Sequence, residues 1–532
     1  MQAIIHLSLA VALLLTAKVE ARAAAAELFL TSDNCMACHN GLATAKGEDV
    51  SIGFDWRGSM MSQSARDPYW QASVRREVRE HAPAAAAIEH ECSLCHMPMD
   101  HVRARSQGQT GRVFANLGRS AQGPRASLAQ DGVSCSVCHQ IEPDNLGKPE
   151  SFVGGFVIDT SGKTPRKAMG PVEVKPVLAR LMASATNFYP LAAPHVGGSE
   201  LCATCHTLIT EALGPDGKPT GRLPEQVPYL EWLASSYREG ASCASCHMPE
   251  TRDPAPIANL LAEPRSGLTR HEFLGGNFLV PAMLKLLGLA MPALPQDLDR
   301  AATRARAHIE KDAAQLAVGD IEVKDGVVEA TITVENLTGH KLPTAYPSRR
   351  SWLHVMVRNG DGAVVFESGA VGANGKIAGN DNDEDAARFE PHYLAIEKPD
   401  QVQIYEAILG DSQGHVTTGL LHAVQYLKDN RILPSGFDKQ KAEADVAVHG
   451  EALADADFTD GSDRVRLRIP VGGGGAPFKV EAELLYQPIG YRWAENLRAV
   501  DGPEPRTFTR AYDSLVAVSF QRMARTERLS GD

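Results

Sequence analysis

The sequence predicts an α+β chain: a loop-rich, mainly α N-terminal domain, followed by a β-sandwich-like C-terminal domain with flanking helices. Three observations predict it. All ten cysteines fall between residues 35 and 246, in five short motifs of one kind. Proline and glycine punctuate the stretches between those motifs, which keeps any helix there short. Beyond residue 318 the apolar residues switch to alternation with period two, interrupted by turn dipeptides.

The first element is residues 1–25. Positions 3–17 are almost wholly apolar, interrupted by His6 and Ser8, and small residues follow at Ala23, Ala24 and Ala25. A short apolar run before small residues reads as a secretory signal peptide. No Lys or Arg precedes the run, so an uncleaved N-terminal anchor is the rival reading. Either one sends the chain out of the cytoplasm, to the periplasm or beyond.

Residues 26–280 carry the motifs Cys35-Met-Ala-Cys38-His39, Cys92-Ser-Leu-Cys95-His96, Cys135-Ser-Val-Cys138-His139, Cys202-Ala-Thr-Cys205-His206 and Cys243-Ala-Ser-Cys246-His247. Cys-x-x-Cys-His is the attachment site of c-type haem. Its two thiols form thioethers to one porphyrin edge, and the histidine binds the iron. Zinc pairs two Cys-x-x-Cys units per ion, which leaves one of five over and five histidines unexplained. A disulfide framework suits short secreted chains rather than 532 residues. A redox dithiol occurs once, beside a βαβ pattern absent around these motifs. The expectation is therefore five covalently attached c-type haems in a pentahaem domain. From Cys35 to His247 is 213 residues, about 43 per haem, too few for an ordinary core around each. The porphyrins must supply apolar surface themselves.

Residues 281–317 read as a linking helical segment, with an amphipathic helix over 296–317 on Leu298, Ala302, Ala305, Ile309 and Leu316. Residues 318–490 read as the β domain. Its hairpins are expected at Asp325-Gly326, at Asn359–Gly362 and around Gly472–Gly475, the last pairing 465–469 with 480–484. Residues 491–532 read as a C-terminal helical segment with a helix over 506–524. The acidic run 381–385 reads as a solvated surface loop rather than a Ca²⁺ site, since it lacks the glycine of an EF-hand loop.

The formal charge of −12 argues against nucleic acid and favours redox partner proteins, a donor and an acceptor, which a membrane could hold. No transmembrane span is expected beyond the N-terminal segment.

Function turns on the sixth ligand of each iron, since a strong one gives an electron carrier and an open position admits substrate. Twelve histidines lie outside the motifs in the mature chain. His195, in a Pro/Gly loop ahead of Cys202, His271 beyond the last motif, His340 between strand and turn, and His101 after the second motif are the leading candidates. His81 and His90 follow, and His392 ranks below them. His308 reads as a surface residue, His354 and His422 as fold residues, and His415 and His449 as surface residues. Met60 and Met61 offer a weaker thioether donor.

The Ser-Glu-Leu-Cys202-Ala-Thr-Cys205-His206-Thr and Cys243-x-x-Cys246-His247-Met248-Pro249 segments resemble the cytochrome c-554/c-552 family of multihaem cytochromes c. The Ser-Met60-Met61-Ser-Gln-Ser-Ala-Arg-Asp-Pro stretch is similar to that of members with methionine where others carry histidine, which implies Met60 or Met61 as a ligand, with Met61 the preferred choice. Gly339-His340-Lys-Leu-Pro-Thr is similar to a Gly-His-x-x-Pro-Thr segment of multihaem proteins, which implies a haem-facing His340. The resemblance spans about residues 30–280. It departs shortly before Cys135, where Arg125–Gln130 holds no histidine, so the distal ligand of that haem is left open, with a five-coordinate iron as one outcome. No Cys-x-x-Cys-Lys is present, so the lysine-ligated site of cytochrome c nitrite reductases is excluded. The first functional reading is a periplasmic electron carrier rather than an enzyme. The alternative is a multihaem oxidoreductase acting on a small nitrogen or sulfur compound at one open haem.

Overall fold

A computed structural model describes residues 27–118, 121–289, 293–472 and 475–531; the expected signal segment lies outside them. Helices and sheets both contribute, as an α+β chain requires.

In the N-terminal half each motif sits on or at the end of a short helix: Ser32–Met36, Ala85–His96, Cys135–Cys138, Ser199–His206 and Cys243–His247. The spacing explains this, because residues i and i+3 share a helix face and so present two thiols together. Cap residues start some of these turns; the Ser242 hydroxyl accepts from the Ser245 amide at the fifth motif. The longest helix of this half, Pro68–Glu80, is capped by Asp67, which accepts from the Tyr69 and Trp70 amides, with Pro68 in the first turn. This half also holds strands that the sequence reading did not include. Arg166–Gly170 pairs in parallel with Phe188–Ala192, and Leu208–Leu213 pairs antiparallel with Pro219–Gln226.

The C-terminal half is two facing sheets. One runs Ala395–Ile396, Ser462–Pro470, Val327–Asn336, Ala314–Val318, with Glu322–Lys324 also on Val327–Asn336. The other runs Val416–Thr417, Ile404–Gly410, Arg350–Arg358, Lys479–Gln487, Gln521–Leu529, with two further strands attached. Alternation aims Val328, Ile332, Val334, Val465 and Leu467 at Leu353, Val355, Val480 and Leu484 in one core. The first hairpin forms as expected. Asp325 (φ 50°) and Gly326 (φ 76°) make the left-handed pair that a two-residue hairpin turn needs. The second pairs Arg350–Arg358 with Val364–Ser368.

Four expectations are corrected. Strands Ser462–Pro470 and Lys479–Gln487 do not pair; the glycine-rich link carries the chain from one sheet to the other. The 296–317 helix ends at Asp312, and Leu316 instead pairs with Val334 in an edge strand. The C-terminal helix is Pro503–Leu515, and the chain finishes as strand Gln521–Leu529 on the Lys479–Gln487 edge. Its Met523 is buried while charged neighbours face out, a period-two pattern masked by so many arginines. The acidic run is a helical turn rather than a solvated loop, because Arg350 binds Asp383 with both guanidinium branches at 2.7 and 2.9 Å in the buried interior.

The two halves share one apolar core. Tyr69 packs on Phe508 at 5.1 Å between ring centres and on Tyr346 at 5.7 Å. Helix Pro68–Glu80 thereby lies against helix Pro503–Leu515 and the sandwich, and forms one wall of the site.

Candidate haem-binding cavity

A continuous cavity of about 1950 Å³ runs past all five motifs. An ordinary small-molecule pocket measures roughly 300–1,000 Å³. His39, His96, His139, His206 and His247 all line it.

Four of these rings are held the same way. Nδ1 donates to a backbone carbonyl: His39 to Ile257 at 2.6 Å, His96 to Ser64 at 3.0 Å, His139 to Met169 at 2.6 Å, and His247 to Leu274. That bond places the proton on Nδ1 and leaves the Nε2 lone pair free for a metal. Burial pushes His96 and His247 down to about 4, so both are neutral at pH 7. Trp70 stacks on the His96 ring at 4.2 Å and fixes its plane.

Opposite two motif histidines stand other imidazoles. His271 lies 6.3 Å from His139 between ring centres, and His340 lies 6.2 Å from His247, with planes 21° and 15° apart. Two metal–imidazole bonds of about 2.0 Å, plus half a ring on each side, span roughly 6 Å. In both partners Nδ1 is the engaged nitrogen: His340 donates to the Lys341 carbonyl at 3.0 Å, and His271 faces the Thr269 carbonyl at 3.3 Å. Nε2 is free in each. His139, whose motif has no histidine shortly before it in sequence, therefore has one in space. It comes from 132 residues downstream.

The other candidates are placed differently. His101 is buried off the cavity wall, bonded to Ser93 Oγ at 2.9 Å and stacked on His90 at 4.4 Å, a separation that admits nothing between the rings. His195 donates from Nε2 to the Ile141 carbonyl at 2.8 Å, while Val196, Gly197 and Gly198 line the cavity beside it. Met60 and Met61 both line the cavity. The Met61 carbonyl accepts from the Val133 amide at 3.0 Å, which sets that segment against the third motif. His81 is buried, and neither of its ring nitrogens makes a hydrogen bond.

Sequence reasoning missed three cavity residues. His308 also lies 6.2 Å from His247, with planes 67° apart, and donates from Nδ1 to Asp312 at 3.0 Å. The spacing Ala301, Ala305, His308, Asp312 along one helix face was the available signal. Arg349 and Tyr486 also line the cavity, and the buried Tyr486 hydroxyl has no hydrogen-bond partner. Such polar groups suit the carboxylates at a porphyrin edge.

Some of the motifs are neighbours. Helix Ser32–Met36 packs against helix Cys135–Cys138, and helix Ser199–His206 against helix Cys243–His247, where the Ser199 hydroxyl accepts from the Cys243 amide at 3.1 Å. The first motif thus adjoins the third, and the fourth adjoins the fifth. No disulfide joins any of the ten. Burial pushes the Cys138 thiol up to about 12 and Cys92 higher still. Orphaned polar groups, free Nε2 lone pairs and paired imidazoles together fit a set of covalently held haems.

A penta-heme cytochrome c552 from Thermochromatium tepidum has a similar fold, with a TM-score of 0.54 at 16% identity over 94% of this chain and 99% of that one. The likeness is one of fold. No family model and no curated protein matches the chain. Among the described residues, no helix is long and apolar enough to cross a membrane.

Proposed function

We propose that the chain is an exported, periplasmic multihaem c-type cytochrome that passes single electrons along five covalently attached haems to and from redox partner proteins. The observation that carries this reading is the pair of facing imidazoles, His139 with His271 and His247 with His340, inside a cavity shared by all five motifs. Each bound haem would supply a one-electron iron couple. The thiols would hold its edge, the motif histidines would bind one face, and His271 and His340 would close the other face of two of them against substrate. The carbonyls of Met169, Leu274 and Lys341 would keep these rings from turning. The adjoining first and third motifs, and fourth and fifth motifs, would give electrons short steps between those haems.

A second reading, a reductase at one haem, is favoured at the second motif rather than the third. Glu77 and Glu225 line the cavity near Cys92, and burial pushes both up to about 7, where a carboxyl can exchange protons. Among the described residues no imidazole faces His96 at the separation seen for His139 and His247. Electron paramagnetic resonance of the holoprotein, with nitrite, sulfite and carbon monoxide as probes, separates the two readings. Five low-spin irons inert to all three support the carrier. A high-spin iron that binds carbon monoxide supports the reductase.

A further inference from the structure

Behind His340 lies a cluster of four charged side chains that the proposed electron transfer does not by itself require. Lys341 Nζ donates to the Asp429 carboxylate at 2.6 Å and to the Ala447 carbonyl at 3.1 Å. Arg431 grips the same carboxylate with Nε at 2.8 Å and a terminal nitrogen at 2.7 Å. Its other terminal nitrogen is ion-paired with Glu231 at 3.0 Å. Glu231 also accepts from the Lys341 amide at 3.1 Å and from the Thr344 hydroxyl. No side chain of the four is more than 6% exposed.

The cluster joins the two halves. Glu231 belongs to helix Pro228–Leu233, between the fourth and fifth motifs, whereas Asp429 ends strand Gln425–Asp429 of the sandwich and Arg431 follows it. Lys341 connects both to the ligand residue, since its carbonyl takes the His340 Nδ1 proton and its amide is held by Glu231. Asn336 fixes the other side of His340, donating to its carbonyl at 2.8 Å. Ion pairs taken this far out of water are weak evidence for stability, because apolar residues of equal volume often serve as well. A neutral group of two cations and two anions does have one electrical property. Losing any single member leaves a whole unscreened charge in a low-dielectric interior. The His340 ring already lies within the fields of Glu231, Arg349 and Arg431.

We propose that Glu231, Lys341, Asp429 and Arg431 act as positioning residues for the fifth haem, orienting His340 and setting the reduction potential of that iron through their balanced charge. This rests on the reading that His340 binds the iron above His247. A net positive cluster favours the ferrous state and raises the potential; a net negative cluster lowers it.

The test is spectroelectrochemical titration of the full five-haem protein, with spin state followed by electron paramagnetic resonance. Glu231→Gln keeps the side-chain volume and leaves the cluster net positive, so one of the five potentials rises. Lys341→Met leaves it net negative, so one potential falls. Arg431→Lys keeps the charge and holds the potential near its starting value. All variants retain the low-spin signals of the parent. A merely structural cluster would shift both charge-altering variants in the same direction or neither, and that result overturns the proposal while leaving the carrier reading intact. If Lys341→Met does not fold, the direction of the Glu231→Gln shift decides alone. His340→Ala is the control for the ligand itself: if every iron stays low-spin in that variant, the ligand assignment and the proposal both fall.

Discussion

Replacing His271 by alanine tests the arrangement at the third motif. The ring is half-buried on the cavity wall, its centre 6.3 Å from that of His139, and desolvation pushes it down to about 4, so it presents a neutral lone pair at pH 7. Among the described residues, no other histidine ring packs within stacking distance of His139. Removing the imidazole should leave one iron of five with a single strong ligand, so about one-fifth of the iron turns high-spin. The other four are untouched, because His271 contributes to one site. Low-temperature electron paramagnetic resonance reads this directly, with integration of the high-spin signal against total haem. Added imidazole, small enough to enter the gap left by the side chain, should return that fraction to the low-spin pool. A variant with its full complement of haem and no new high-spin iron would refute the reasoning, as would a change spread over several haems.

Further outcomes follow from other parts of the molecule. Asp383→Ala leaves Arg350 as an uncompensated buried charge and should cost about 3–5 kcal/mol, measured by denaturant unfolding of the sandwich. Phe508→Ala opens a hole beside Tyr69 where the two halves meet and should cost about 3–5 kcal/mol, measured the same way. The pH dependence of stability should have two arms. Burial raises Glu77 and Glu225 to about 7 in the folded chain against about 4.3 when unfolded, so their contribution is full below the unfolded value and is lost as pH rises through 7. Glu77→Gln with Glu225→Gln should flatten that arm. Asp429 is held well below the usual carboxylate range by the Arg431 and Lys341 charges, which outweigh its burial. Its contribution is present above about 3.9 and is lost as pH falls through the lower folded value, so stability should drop steeply in acid.

The motifs were legible because their chemistry is local: two thiols one helical turn apart and a histidine beside them need no tertiary context. His340 was singled out by its place between strand and turn and by the similarity of its segment to those of multihaem proteins, and His271 by its place beyond the last motif. Which iron each faces was not legible. His271 and His139 are brought together only by the fold of the strap leaving the fifth motif, so the third motif looked open in one dimension. His101 and His195 sit close to motifs in sequence, yet hydrogen bonds to Ser93 and Ile141 turn their rings elsewhere. The opposite error applies to His308, whose helix face carries enough charge to look solvated. In the sandwich, period-two alternation located strands but not partners. Ser462–Pro470 and Lys479–Gln487 are neighbours in sequence and belong to opposite sheets, because the glycine-rich link is long enough to cross between them.

The proposed function stands on five haems, with facing imidazoles on at least the third and fifth. Pyridine haemochrome quantification of the purified protein, combined with integrated low-temperature electron paramagnetic resonance, is the deciding measurement. Five haems per chain are expected, with low-spin iron at the His139–His271 and His247–His340 sites, lost one site at a time in the His271→Ala and His340→Ala variants. Fewer than five haems, or no loss of low-spin iron in either variant, would contradict it.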